Sequence, residues 1–189
     1  SRQLEEALRR YGVKYHVVSG FSFYQRAEIR DALAYLKVLV SPEDSVSLLR
    51  IINTPARGIG RTTLEQVERY AADQRLSIWT ALERMLEQNL FPSRAQAALA
   101  AFRKKIQELR GEAGGQPVHL ALDRILEATG YRKMFEPDDS PEAQSRLENL
   151  GELLNAAAEA SERGEGIPEF LDHAALVSDA DQLDEHAQV

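Results

Sequence analysis

Apolar residues recur every three or four positions along most of the chain, the spacing that places them on one face of an α-helix. The clearest case is 27–40, where Ile29, Leu33, Leu36 and Val40 share a face. The pattern predicts about nine helices, over approximately 2–10, 27–40, 42–53, 62–73, a segment after Ser77, 93–110, 118–129, 141–162 and 168–178. Four of these helices have a predicted N-cap, namely Ser41, Thr62, Ser77 and Ser93.

One short segment departs from this pattern. Residues 13–18 are β-branched and aromatic, which predicts a strand. A single strand needs a partner, and the remaining sequence offers no convincing second strand. We therefore expect a mainly α fold that is preceded by a piece of another, larger domain.

Charge is divided unevenly along the chain. Residues 1–110 contain 18 Lys and Arg and 12 Asp and Glu, a net charge of +6, whereas residues 111–189 contain 5 and 18, a net charge of −13. The glycine-rich stretch 111–117 lies between the two parts and predicts a flexible break. The overall acidity argues against nucleic acid, but the basic part alone is compatible with it.

Several kinds of chemistry have no support in the sequence. There is no cysteine, the four histidines are scattered, and the acidic segments 136–139 and 179–185 have no histidine at ligand spacing. No G-x-x-x-x-G-K-[ST] motif or membrane-length apolar run occurs. We expect no catalytic residue, no metal site, no membrane contact and no nucleotide hydrolysis by this chain alone.

The turn at 57–60 is the first candidate site. Glycines on both sides of Ile59 allow a sharp bend and a close approach to another surface, and the amides of Gly58, Gly60 and the next helical turn would point outward. A helix N-terminus of this kind suits a phosphate, in the manner of helix-hairpin-helix DNA binding. An ordinary glycine turn between packed helices fits the local pattern equally well. The candidate residues are Arg57, Gly58, Ile59, Gly60, Arg61, Thr62 and Thr63.

A stripe of cations on the helix 27–40 is the second candidate. Arg30 and Lys37 are seven residues apart and therefore share a helix face, which Arg26 extends by one turn. Such a stripe could follow a phosphate backbone. The alternative is a solvated face on which Glu28 and Asp31 are the local partners.

Three long stretches resemble the UvrD/PcrA/Rep family of superfamily 1 DNA helicases, and PcrA in particular. They are YQRAEIRDALAYL (24–36), RIINTPARGIG (50–60) and EAQSRLENL (142–150), and Ser1-Arg2 resembles the end of a further family motif. Their order and spacing fit the family throughout, so the resemblance covers essentially the whole chain.

The resemblance implies a domain organisation. Residues 1–20 would be the edge of the second RecA-like motor domain, and 21–178 the helical 2B subdomain inserted into it. The subdomain would be basic to about residue 110 and acidic over 118–178, and 179–189 would be a frayed tail. ATP and Mg would bind the parent helicase through motifs outside this chain, which itself would have no cofactor.

The resemblance also implies a role. Gly58, Ile59, Gly60 and Thr63 would hold phosphates of the duplex ahead of a single-strand/double-strand junction, with Arg30 and Lys37 as basic contacts. The parent would be an ATP-dependent 3′-to-5′ DNA helicase of repair or replication, located in the bacterial cytoplasm with the nucleoid. Other partners would be the motor domains of the same polypeptide and a regulatory protein. The alternative is a helical protein-interaction module in which the turn is purely structural.

Overall fold

The computed structural model describes the backbone of residues 23–186 and the side chains of residues 23–181. This part of the chain is mainly α, which confirms the predicted fold class. Its eight helices are α1 Ala27–Val40, α2 Ser45–Ile51, α3 Arg61–Gln74, α4 Ile78–Glu87, α5 Ser93–Ala113, α6 Val118–Ala128, α7 Pro141–Glu162 and α8 Ile167–His186. Short 3-10 segments cover Phe23–Gln25 and Arg132–Met134. The predicted helix 2–10 and strand 13–18 lie outside the described residues.

Helix α1 is the centre of the module. It contacts α2, α5, α6, α7 and α8. Ile29, Tyr35 and Leu36 have no exposed surface. The predicted apolar face is wrong at its end, because Val38 is fully buried whereas Val40 is 46% exposed. Because neighbours surround the helix, only a narrow strip of α1 remains open to solvent.

Helices α3 and α4 form an outer pair beside this core. They pack against each other, and α4 connects the pair to α2 and α5. Helix α3 buries only Val67 and Ala71, so most of its circumference is exposed. The turn 57–60 leads directly into α3 and is therefore at the surface.

Three predicted N-caps are wrong. The predicted cap Ser93 is the first residue of α5, and the N-cap of that helix is Pro92. Helix α2 is capped by Asp44, whose carboxylate accepts the Ser47 N–H at 3.1 Å, and not by Ser41. Helix α3 begins one residue before the predicted cap Thr62, and its N-cap is Gly60. Ser77 does cap α4 as predicted, because its hydroxyl accepts the Thr80 N–H at 3.1 Å.

Two predicted helix ends also differ from the structure. Helix α5 continues through Gly111 to Ala113, and Glu112 on the additional turn forms an ion pair with Arg124 of α6 at 2.8 Å. Helix α8 continues beyond the predicted end at 178 to His186, since neither glycine nor proline interrupts that segment. Within the described range, no helix is long and apolar enough to span a membrane.

Candidate nucleic-acid interface

The turn between α2 and α3 is held from inside by one asparagine. Oδ1 of Asn53 accepts the N–H groups of Arg57, at 2.7 Å, and of Ile59, at 3.2 Å. The Ile59 side chain is only 1% exposed and anchors the turn in the core. The amides of Arg57 and Ile59 are therefore hydrogen-bonded inside the protein, and Gly58 between them is exposed.

The outer side of the turn is bare main chain. Gly58 and Gly60 are both exposed, and Gly58 has a φ of 78°, a conformation that favours glycine. As the N-cap of α3, Gly60 provides no side chain to accept the first-turn amides. Among the described residues we find no acceptor for the N–H groups of Gly58 and Gly60. Both glycine amides are thus without an acceptor in the described structure, as the predicted phosphate site requires.

Arg57 is directed into the protein. Its Nη1 donates to the carbonyl oxygens of Ile51 at 2.8 Å and of Ile52 and Pro55 at 3.2 Å, while Nη2 donates to the Tyr35 hydroxyl at 2.6 Å. The guanidinium also lies 5.2 Å from the centroid of the Phe102 ring. These contacts hold the turn from below and leave Arg57 poorly placed to meet a phosphate outside.

The other predicted residues of the turn lie at the surface. Arg61 has 92% of its side chain exposed and forms an ion pair between Nε and Oε1 of Glu65 at 2.8 Å. Glu65 lies one helical turn after Arg61 and neutralises part of its charge. Thr62 is exposed and Thr63 is half-buried in the first turn of α3.

The predicted stripe on α1 is divided by the fold. Arg30 and Lys37 are exposed, and no ion pair within the described part of the chain engages them. Arg26 points inward, because Nη1 donates to Oδ1 of Asn149 and the guanidinium lies 5.6 Å from the Phe23 ring centroid. The stripe therefore has two outward members.

The acidic partners expected in the alternative interpretation of α1 are engaged elsewhere. Asn149 Nδ2 donates to Oε1 of buried Glu28 at 2.6 Å, and Asp31 accepts from Arg50 Nε at 2.6 Å. Together with the Arg26–Asn149 bond, these contacts join the three sequence stretches that carry the family resemblance. Many polar side chains of those stretches therefore bind one another inside the protein.

Two tyrosines of the same network have raised pKa values. Burial raises the pKa of Tyr131 far above its ordinary value, and a 2.7 Å hydrogen bond to Asp31 raises it further. Burial also raises the pKa of Tyr35, although the Arg57 guanidinium opposes the shift. Both hydroxyls are therefore protonated donors at neutral pH, to Asp31 and to the Thr54 carbonyl respectively.

One residue beside the turn was not predicted. A Cβ built on Gly58 would lie 3.9 Å from both Nε and Nη2 of Arg94, the second residue of α5. Arg94 follows Gly58 by 36 positions, so no local pattern relates the two residues. Only the packing of α5 beside the turn brings them together.

Comparison with known proteins defines the class to which this fold belongs. The family described as the UvrD-like helicase C-terminal domain matches residues 1–189, and the chain belongs to that family.

No group of three or more His, Asp or Glu side chains able to hold a metal ion occurs among the residues described.

Individual relatives agree with this assignment. The chain is 36% identical over 189 residues to DNA helicase II of Escherichia coli K12, covering 97% of the chain and 26% of the relative. It is 38% identical over 187 residues to ATP-dependent DNA helicase PcrA of Bacillus subtilis, covering 98% and 25%. It is 39% identical over 204 residues to ATP-dependent DNA helicase UvrD1 of Mycobacterium tuberculosis H37Rv, covering 98% and 26%. The chain thus spans about a quarter of these relatives, and the predicted resemblance to the UvrD/PcrA family is confirmed.

Proposed function

We propose that this chain is the duplex-binding 2B module of an ATP-dependent 3′-to-5′ DNA helicase. The exposed turn Gly58–Gly60 and the first turn of α3 bind phosphates of double-stranded DNA ahead of the junction. The relatives are named as DNA helicases, and PcrA and UvrD1 also as ATP-dependent. ATP, Mg and the unwinding reaction belong to motor domains of the same polypeptide, and this module positions the duplex and restrains unwinding.

The proposal rests mainly on the position of Gly60, a glycine that serves as the N-cap of α3 although the fold does not require a glycine there. Its φ of −75° and ψ of 164° are accessible to any residue, and an added Cβ would meet nothing within 4 Å. The internal structure therefore does not require glycine here, although Ser, Thr, Asp or Asn would cap α3 better. A bare N-cap leaves the first-turn amides to an external acceptor, and the helix dipole favours an anion at that position.

The surrounding residues suit a nucleic acid that is bound through its phosphate backbone and not through its bases. Thr62 and Thr63 add hydroxyl donors, and Arg61 adds an exposed charge. Main-chain and phosphate contacts of this kind fix position without reading bases. In this proposal Arg57 supports the turn from below, and Arg30 and Lys37 bind phosphates from α1.

Substitution at Gly60 tests the proposal, because the fold tolerates a side chain there. We expect Gly60→Asp to stabilise the chain by about 0.5 kcal/mol, since the new carboxylate caps α3. The same carboxylate occupies the amides and repels phosphate, so affinity for a labelled DNA duplex should be abolished. Gly60→Val should also abolish binding at the turn, through its bulk, while weaker duplex binding through α1 remains and the helical circular dichroism is retained.

The matched control is Gly111→Asp, which adds the same charge at another exposed glycine with no contacts around it. We expect that variant to retain most duplex binding. Equal binding by Gly60→Asp and Gly111→Asp would reject the phosphate site. Unfolding of Gly60→Val would instead support the interpretation in which the turn is only structural.

A further inference from the structure

We propose that Arg94 is the cationic arm of this phosphate site, an inference that rests on the proposed function of the turn. Arg94 approaches the turn from α5, whereas the other candidate residues of the turn lie in 57–63. The site would thus be formed by two helices that are distant in sequence.

The geometry directs a binding edge of Arg94 towards the bare side of the turn. Nε and Nη2 are the two donors on one edge of the guanidinium, and both are 3.9 Å from the position of a Cβ on Gly58. A guanidinium edge with parallel N–H groups is the feature that binds phosphate in a bidentate manner. The absence of a side chain at Gly58 keeps open the space that this edge faces.

Among the arginines around the turn, Arg94 is the one whose guanidinium is available to bind a phosphate. Arg57 donates to carbonyl oxygens beneath the turn, and Arg61 is paired with Glu65 at 2.8 Å. Arg94 is exposed and has no hydrogen bond or ion pair to any residue that the structure describes.

The helix ends near Arg94 reinforce this preference for an anion. The first turns of α3 and α5 contain no acidic residue, and neither helix has a side-chain cap. Arg94 therefore adds a positive charge at the positive end of its own helix dipole, where a cation is disfavoured. A bound phosphate would relieve this repulsion while it accepts hydrogen bonds from the guanidinium and from the turn.

Binding of a labelled DNA duplex by the 189-residue chain, measured over a series of salt concentrations, tests the inference. We expect Arg94→Ala to lower affinity by about tenfold at low salt. It should also reduce the slope of log affinity against log salt by about 0.9, the value for one phosphate contact. Arg94→Lys should restore the slope but only part of the affinity, because an ammonium group cannot bind in a bidentate manner.

Lys104→Ala is the matched control. It removes the same charge from the same helix, at an exposed position about 15 Å further along the axis. Combination with Gly60→Val localises the effect: if Arg94 acts at the turn, Arg94→Ala should change little in that background, because the phosphate is already excluded.

The outcomes separate the two proposals. If the unsubstituted chain shows no salt-dependent duplex binding, the proposed function fails and this inference fails with it. If the chain binds, but Arg94→Ala behaves like Lys104→Ala, only the assignment of Arg94 is overturned. An undiminished effect of Arg94→Ala in the Gly60→Val background would also overturn it.

Discussion

Arg57 and Arg94 lie near the same turn, yet their guanidinium groups have opposite surroundings. Arg57 donates to four main-chain carbonyls and a tyrosine hydroxyl inside the protein. Arg94 is exposed beside Gly58 and has no partner among the residues described. The inner arginine determines the shape of the turn, and the outer one is available to a ligand.

The same division occurs among the arginines around α1. Arg26 and Arg50 bind Asn149 and Asp31 within the polar network, whereas Arg30 is exposed. The basic character of residues 1–110 therefore overstates the charge that faces outward. What matters for an anionic partner is the number of cations without internal acceptors, which the net charge does not reveal.

Removal of the inner arginine should have the largest effect. We expect Arg57→Ala to lower the free energy of unfolding by about 3 kcal/mol, because it leaves several carbonyl oxygens without a donor. Urea unfolding measures the change. Arg94→Ala is the control and should stay within about 0.5 kcal/mol, as is usual for exposed residues. Equal stability of the two variants would remove the distinction between an inner and an outer arginine.

The outward cations of α1 should affect binding and not stability. We expect the double variant Arg30→Ala/Lys37→Ala to reduce the salt slope of duplex binding by about 1.8, which corresponds to two phosphate contacts. Affinity should fall by at least about tenfold at low salt. The control is Lys104→Ala/Lys105→Ala, which removes two charges that lie near Glu108. If both double variants bind DNA equally, Arg30 and Lys37 are not phosphate contacts.

The helices could be predicted from sequence because their periodicity and breakers are local. The eight described helices were all predicted, and errors were confined to their ends. Ser41 and Thr62 have the right residue type for an N-cap, but Asp44 and the approach of the chain at Gly60 determine where α2 and α3 begin. Several side chains compete for a cap, and tertiary packing selects one.

The candidate site was predictable only in part. The exposed bend at Gly58–Gly60 follows from the local sequence, because two glycines around one apolar residue give that shape. The direction of Arg57 does not, since its acceptors are created by the folded backbone. Arg94 could not be predicted, because its proximity to Gly58 depends on the packing of α5.

The inner network should also be sensitive to alkaline pH. Since the pKa of Tyr131 is raised in the folded protein, its contribution to stability is complete below pH 10, the value of an unperturbed tyrosine, and is lost as pH rises beyond it. We expect Tyr131→Phe to cost about 1 kcal/mol at pH 7 through loss of the bond to Asp31. The free energy of unfolding of Tyr131→Phe should then decline less steeply above pH 10 than that of the unsubstituted chain. Urea midpoints across that range measure both effects, and parallel curves for the two proteins would contradict the assignment.

The smallest effect is expected at Arg61. Its side chain is exposed, like that of Arg94, but it has an acceptor within the protein, as Arg57 does. Because Glu65 offsets its charge, Arg61→Ala should weaken duplex binding by only about threefold. Glu65→Gln should strengthen it by a similar factor, since Arg61 is released and a negative charge is removed from beside the turn. Glu68→Gln, at an exposed position on the same helix, controls for the general loss of negative charge. If Glu65→Gln binds no better than Glu68→Gln, pairing does not decide which cations near the turn are available to DNA.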